Sequence, residues 1–104
     1  MEELEVIITL SNGDKFTVNK NTVIFPIKLI EDNGEEFSSQ AKPVVLEKNL
    51  DIHDGYIPVL TSTFAKSEFF YIDGEGYEYT VYQSSSIVSL KQRKRTESRI
   101  SILD

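Results

Sequence analysis

The residue best suited to metal chemistry is the single histidine, His53, which follows Asp51 with one residue between them. An Asp-x-His pair on a loop can supply two ligands to a metal ion. A tetrahedral zinc site needs about four protein ligands, or three and a water molecule. The sequence has no cysteine and no second histidine to complete such a set. We therefore predict that His53 is a surface loop residue and that the protein has neither a metal site nor a cofactor.

Serine nucleophiles and carboxylate pairs give equally weak signals of catalysis. A serine nucleophile needs a neighbouring base, and the run 84–86 (Ser-Ser-Ser) has no evident base and no Gly-x-Ser-x-Gly elbow. The carboxylate pairs Glu35/Glu36 and Asp73/Glu75 lie beside glycines that suit solvated turns, whereas acid–base catalysis needs burial or close neighbours. The segment 74–76 (Gly-Glu-Gly) lacks the helix and lysine of a phosphate loop. We predict that the protein is not an enzyme.

Two groups of side chains could support binding instead. Aromatic residues are dense in the segments 69–72 and 77–82, where they could pack in the core, contact a protein or stack on nucleotide bases. The run KQRKR, at positions 91–95, is typical of a solvated segment exposed beside the last strand; it could instead contact nucleic acid or an acidic protein surface. The candidate interaction surface combines both groups: Phe69, Tyr71, Tyr82, Lys91, Arg93, Lys94 and Arg95.

The charge of the chain separates these possibilities. Residues 1–90 carry six Lys or Arg against fifteen Asp or Glu, a net charge of -9, whereas residues 91–104 carry +3. An acidic body repels phosphate backbones over about 8 to 10 Å at physiological salt. A protein partner, in particular a basic one or a second copy of the chain, is therefore favoured over nucleic acid, which stays as the alternative.

Composition sets the class of protein. A chain of 104 residues with 39% hydrophobic residues is the size of one globular domain, and without cysteine its stability must come from packing and backbone pairing. The amino terminus is acidic where a secretory signal is basic, and the longest apolar stretch, 23–27, is too short to cross a bilayer. We expect a soluble cytoplasmic protein without membrane contact.

The first two strands are predicted by alternation. Leu4, Val6, Ile8 and Leu10 recur at every second position, which indicates a strand with one buried face. The segment 11–14 (Ser-Asn-Gly-Asp) then predicts a type I′ hairpin turn. Phe16 and Val18 return on the core face of the second strand.

The middle of the chain is less regular. β-Branched and aromatic residues predict a third strand over 22–31, with Pro26 marking an edge or a bulge. We expect 36–42 to form a loop or helical turn, 43–46 a short strand, and 57–60 a further strand.

The aromatic segments predict a hairpin that turns at Gly74-Glu75 or at Glu75-Gly76. The two registers differ by two residues, so both place the same side chains together. On one side lie Phe70, Ile72, Tyr77, Tyr79 and Val81; on the other lie Phe69, Tyr71, Glu78, Thr80 and Tyr82. Strands at 87–90 and 98–103 would follow, with Ile100, Ile102 and Leu103 docked on the body.

These elements predict an all-β fold: a small single-domain barrel or sandwich, SH3-like or OB-like in size, of about six to eight short antiparallel strands and at most one short helix or helical turn. The single domain would span 1–104, with the basic segment 91–99 at or beside the last strand. Small, acidic, cysteine-free chains of this kind resemble compact phage or mobile-element proteins. We expect a non-enzymatic interaction or assembly module; the alternative is a small-barrel nucleic-acid binder.

Overall fold

Two antiparallel sheets form the described part of the protein, residues 3–72 and 80–95 of the computed structural model. Sheet A has the strand order β2-β1-β8, and sheet B has the order β4-β3-β6-β7, with β5 also paired to β3. The strands are β1 (Glu3–Leu10), β2 (Lys15–Asn19), β3 (Val23–Asp32), β4 (Glu35–Gln40), β5 (Val44–Val45), β6 (Phe69–Ile72), β7 (Val81–Gln83) and β8 (Ile87–Arg95). One helix, α1 (Ile57–Lys66), and short 3-10 turns at Leu46–Asn49 and Ser84–Ser86 complete the described elements. The predicted all-β class is confirmed, as a sandwich-like arrangement rather than a closed barrel.

Sheet A is built on the alternation of β1. Val6, Ile8 and Leu10 are buried, and β2 adds Val18 to the same face. These apolar residues pack with Ile24 and Phe70 of sheet B, so the core lies between the sheets. The predicted core face of the first two strands is confirmed.

The turn between β1 and β2 differs from the predicted type I′. Its loop has three residues, closed by the Gly13 N–H donating to the Leu10 carbonyl (2.9 Å) and the Leu10 N–H donating to Asp14 (2.8 Å). Gly13 has a φ of +94°. Asn12 does not have a positive φ, since Asn33 is the one described non-glycine residue that does. This pattern is a three-residue hairpin with glycine in the left-handed region, which needs only one such residue.

The type I′ geometry occurs instead between β3 and β4. Asn33 (φ 56°) and Gly34 (φ 83°) form a two-residue loop, and Asp32 pairs directly with Glu35. The expectation of a loop or helical turn over 36–42 is therefore wrong for most of that segment. β4 has no hydrophobic alternation because five of its six residues are exposed; its pairing follows from the turn.

Pro26 lies in an interior strand, so of the two predicted alternatives, an edge or a bulge, the edge is wrong. β3 pairs with β6 on one side and with β4 and β5 on the other. The Pro26 carbonyl accepts the Ala41 N–H (3.0 Å) at the junction between β4 and β5. Proline has no N–H to donate. Because the ladder is interrupted beside Pro26, no acceptor is left unsatisfied there.

The helix α1 replaces the strand that we expected over 57–60. Ile57, Leu60 and Phe64 recur at helical spacing, and Pro58 occupies the first turn, where its missing N–H costs nothing. Leu60 is fully buried, and the Phe64 ring lies 4.6 Å from the Phe70 ring. The helix thereby closes one end of the core beside Tyr56, whose pKa is raised by burial of its side chain.

Candidate interaction surface

The observed register of the aromatic hairpin corrects the predicted grouping of side chains. Phe70 pairs with Tyr82 and Tyr71 pairs with Val81, an odd shift from both predicted registers. A one-residue slip moves every side chain of a strand to the opposite face. Tyr82 therefore joins the core, with its ring 4.9 Å from Phe16 and 5.4 Å from Phe70, instead of lying beside Phe69 and Tyr71. The predicted positions of Tyr77, Glu78 and Tyr79 lie outside the described residues.

Phe69 and Tyr71 do share a face, the side of sheet B that faces away from the core and that we call the outer face. The registers of β3, β6 and β7 place their neighbours on it. The Phe25 and Tyr71 rings stack at 4.7 Å with an interplanar angle of 8°. The outer face carries the polar residues Gln40 and Gln83. It also includes six apolar or aromatic side chains: Phe25, Ile27, Leu29, Phe69, Tyr71 and Val81. Leu29 is 46% exposed and Val81 is 44% exposed, so this face offers an apolar surface to a partner.

The basic run lies on the other sheet, as the second half of β8. It pairs with β1 in a register that sets Arg93 opposite Glu5 and Arg95 opposite Glu3. The Arg93 Nε donates to the Glu5 carboxylate at 2.5 Å, and Glu5 is only 9% exposed. Lys91 shares this side of the strand, while Lys94 pairs with Leu4 on the opposite side. The run is thus partly neutralised within sheet A. Arg99 and the predicted strand 98–103 lie outside the described residues.

Three exposed large apolar residues lie close together on a ribbon that the sequence did not single out. Pairing of β3 with β6 stops at Ile27, so residues 28–38, which we call the arm, form a two-stranded extension of sheet B. Every residue of the arm is exposed. It carries Leu29 at 46% exposure, Ile30 at 40% and Phe37 at 49%. A two-stranded ribbon of this kind is only marginally stable alone in water.

The two faces of the arm differ in composition. Cross-strand partners share a face, so Ile30 and Phe37 lie together with Asp32 and Glu35 on the side that continues the core face of sheet B toward α1. We call this the helix-side face of the arm. The opposite side continues the outer face and carries Leu29, Glu31, Glu36 and Ser38. Each face thus combines apolar and acidic side chains.

Glu68 anchors the arm to the body. Its carboxylate accepts the Leu29 N–H at 2.8 Å, and its own N–H donates to the Ile27 carbonyl at 3.1 Å. The Glu68 carbonyl in turn accepts the Ser84 N–H at 2.9 Å. The side chain therefore replaces the backbone partner that β3 loses where β6 begins.

A groove lies where the arm joins the body, between the base of β3 and the last turn of α1. We call it the lysine groove; its volume is 360 Å³. Its apolar floor is formed by Pro26, Ala41 and Val44. Basic and hydroxyl side chains border the groove: Lys28, Lys42, Lys66, Ser62, Thr63 and Ser67.

Within residues 3–72 and 80–95, the serines suggested for catalysis are not assembled into a catalytic group, and the carboxylate pair Asp73/Glu75 lies outside the described residues. The Ser84 Oγ lies 3.4 Å from the Ser67 Oγ, and the Ser86 Oγ donates to the Gln83 carbonyl (2.7 Å). Neither partner is a base. A cavity of 420 Å³ beside Ser67 and Ser84 is bordered by Phe64, Phe69 and Glu68, whose carboxylate accepts from the backbone of Leu29.

His53 lies exposed on a tight loop closed by Asp51 and Gly55. The Asp51 carboxylate accepts the N–H groups of His53 and Asp54, both at 2.8 Å. These two hydrogen bonds lower the pKa of Asp51, and the bond from Asp54 has the larger effect. Across residues 3–72 and 80–95, no three histidine or acidic side chains are grouped closely enough to bind a metal ion.

The arm and the lysine groove were missed because neither has an alternating pattern. The Asn-Gly pair at 33–34 was the available signal, since it matches the turn that we assigned at 12–13. The lysines of the groove lie on three separate segments, so no local pattern unites them.

Comparison with known proteins gave no match: no family model, curated protein or solved structure is similar to this chain. Within the described residues, no helix combines the length and apolar character needed to cross a membrane.

Proposed function

We propose that the protein is a non-enzymatic interaction module that binds a protein partner through the outer face of sheet B and the arm. The observation that carries the proposal is the arm itself, an entirely exposed ribbon with three large apolar side chains. Leu29 continues the aromatic outer face, and Ile30 and Phe37 lie on the helix-side face. Contiguous exposed apolar surface on a small domain is typical of a binding site. An exposed ribbon edge also offers backbone donors and acceptors to a partner strand.

The charge of this surface supports a basic partner. The outer side of the arm carries Glu31 and Glu36 beside Leu29, and all three are exposed. A partner with an apolar contact ringed by Lys or Arg would bury Leu29 and pair with these carboxylates. Such charge pairing raises the association rate and excludes acidic competitors. The proposal includes a cytoplasmic location and an assembly role of the kind that phage or mobile-element proteins have.

The nucleic-acid alternative has less support. It requires the aromatic face and the basic run to act together, but they lie on different sheets. The Tyr82 ring packs against Phe16, so it is not positioned to stack on a base, and Arg93 already forms an ion pair with Glu5. No observation specifically favours this alternative over protein binding.

Affinity capture from the source cell with a matched pair of variants tests the proposal. The double variant L29S/V81S removes two exposed apolar side chains from the outer face. The control V88S removes one from β8, where Val88 is 61% exposed and lies off the proposed surface. We expect the native chain and V88S to retain the same protein, identified by mass spectrometry, and L29S/V81S to lose most of it.

Circular dichroism must show that all three chains are folded. Equal capture by L29S/V81S and the native chain would contradict the proposal, as would recovery of nucleic acid alone.

A further inference from the structure

The lysine groove concentrates positive charge on an acidic body. Residues 1–90 contain six basic side chains, and three of them, Lys28, Lys42 and Lys66, border this one groove. Within the described residues, ion pairs form at Lys20–Glu3 and Arg93–Glu5, and none involves the three groove lysines. The groove therefore presents several ammonium groups around an apolar floor, which suits a ligand with carboxylates and apolar side chains together.

The helix-side face of the arm carries that combination. Asp32 and Glu35 flank the tip of the ribbon, and Ile30 and Phe37 form a cross-strand pair behind them. Glu35 and Asp32 are exposed, so their carboxylates are available to a partner. The arm of one copy is thus complementary in charge and polarity to the lysine groove of another.

The spacing along the arm allows both contacts to form at once. Ile30 lies three residues from Ile27, at the base of the arm, and three residues from Asn33, at its tip. At about 3.3 Å per residue, each half of the arm is roughly 10 Å long. Two arms that lie antiparallel with Ile30 and Phe37 at the centre would place each tip at the other copy's groove. Such an arrangement is twofold symmetric and closed.

We propose that the lysine groove is a binding site for an acidic β-ribbon, and that its occupant is the arm of a second copy in a symmetric dimer. The inference rests on the proposed function, protein binding by the arm, and names the partner of its helix-side face. The Ile30 and Phe37 side chains of both copies pack at the centre. Asp32 and Glu35 of each copy pair with Lys42 and Lys66 of the other, with Lys28 beside them.

Charge reversal tests this arrangement with an internal rescue. The variant D32K/E35K makes the arm tip basic, and K42E/K66E makes the groove acidic. Each variant alone opposes like charges at both contacts, so we expect both to sediment as monomers where the native chain is dimeric. Mixed in equal amounts, they restore both contacts, because the acidic arm of one meets the lysine groove of the other. We expect a mixed dimer.

The control is E31K/E36K, which makes the same change in net charge on the outer side of the arm and should stay dimeric. Circular dichroism verifies that each variant is folded. A native chain that is monomeric at every concentration, or reversed variants that stay dimeric and do not combine, would overturn the inference. Retained partner capture by such a chain would leave the proposed function standing, whereas L29S/V81S tests that function without altering the groove.

Discussion

Single side chains in this protein join segments that are far apart in the sequence. Gln92 accepts the Tyr56 N–H at 2.9 Å and donates to the Asp54 carbonyl at 3.4 Å, and so fixes the loop 51–56 to β8. Gly55 leaves room for this contact, because a Cβ atom there would lie 2.3 Å from the Gln92 Oε1. Its φ of +66° is a second reason for glycine at this position. Glu68 performs a similar role at the base of the arm. The polar side chains of Glu68, just before β6, and of Gln92, on β8, thus stand in for missing backbone partners.

We expect G55A to lower the free energy of unfolding by about 2 to 3 kcal/mol, since it adds left-handed strain and displaces the Gln92 amide. The matched control is G13A. Gly13 has a φ of +94°, and a Cβ atom added there would have no atom within 4 Å beyond its chain neighbours, so the variant should cost only the backbone strain, about 1 kcal/mol. Urea denaturation of both variants measures the difference. Equal losses would mean that the Gln92 contact contributes nothing.

At the scale of elements, registers decide which aromatic residues are available for binding. Tyr82 packs against Phe16 and Phe70 in the core, whereas Tyr71 stacks on Phe25 at the outer face. Tyr71 also accepts a hydrogen bond from Gln40 (3.1 Å), which joins β4 to the outer face. The two tyrosines, grouped together on sequence grounds, have different surroundings.

We expect Y82A to lower the free energy of unfolding by about 3 kcal/mol, because it removes an aromatic ring from between two core rings. Y71A should cost less, about 1 kcal/mol, because Tyr71 is half-buried and does not pack against the core cluster. Thermal or urea unfolding followed by circular dichroism compares the two variants. A larger loss for Y71A would contradict the observed register.

Alternation predicted β1 and β2, because Val6, Ile8 and Leu10 recur at every second position and lie on the buried face of β1. Together with the turn residues, it also predicted the all-β class. The same reasoning failed for β4, which is exposed on both faces and leaves no alternating pattern. It failed for the aromatic hairpin because the observed pairing of β6 with β7 is an odd shift from both registers that the turn residues predicted. The arm and the lysine groove depend on contacts between distant segments, which no local pattern encodes.

For the whole molecule, burial is distributed unevenly. The described residues extend over 61 Å in one direction and 29 and 27 Å in the others. Residues with no exposure, such as Val6, Ile8 and Phe70, lie where the sheets meet, and the arm has none. Segments with little burial open at low free energy, so stability should fall from the core toward the arm tip.

Amide hydrogen exchange should reproduce this gradient. We expect the β1 amides of Val6 and Ile8 to exchange slowest, at the rate of global unfolding, and the amides of the arm to exchange fastest. Within the arm, Leu29 should be protected by its bond to the Glu68 carboxylate, and E68Q should weaken that protection. Uniform protection along β3 would show that the arm is no less stable than the body.

The pairing of β1 with β8 also determines when the molecule can fold. β1 occupies positions 3–10 and its partner occupies positions 87–95, so sheet A lacks its third strand until nearly all of the described chain has left the ribosome. During synthesis, Glu5 emerges long before Arg93. Until β8 is made, the apolar face of β1 is exposed to water or bound by a chaperone. Pairing across such a sequence distance closes slowly. The time taken to synthesise residues 11–95 therefore sets how long β1 remains without this partner strand.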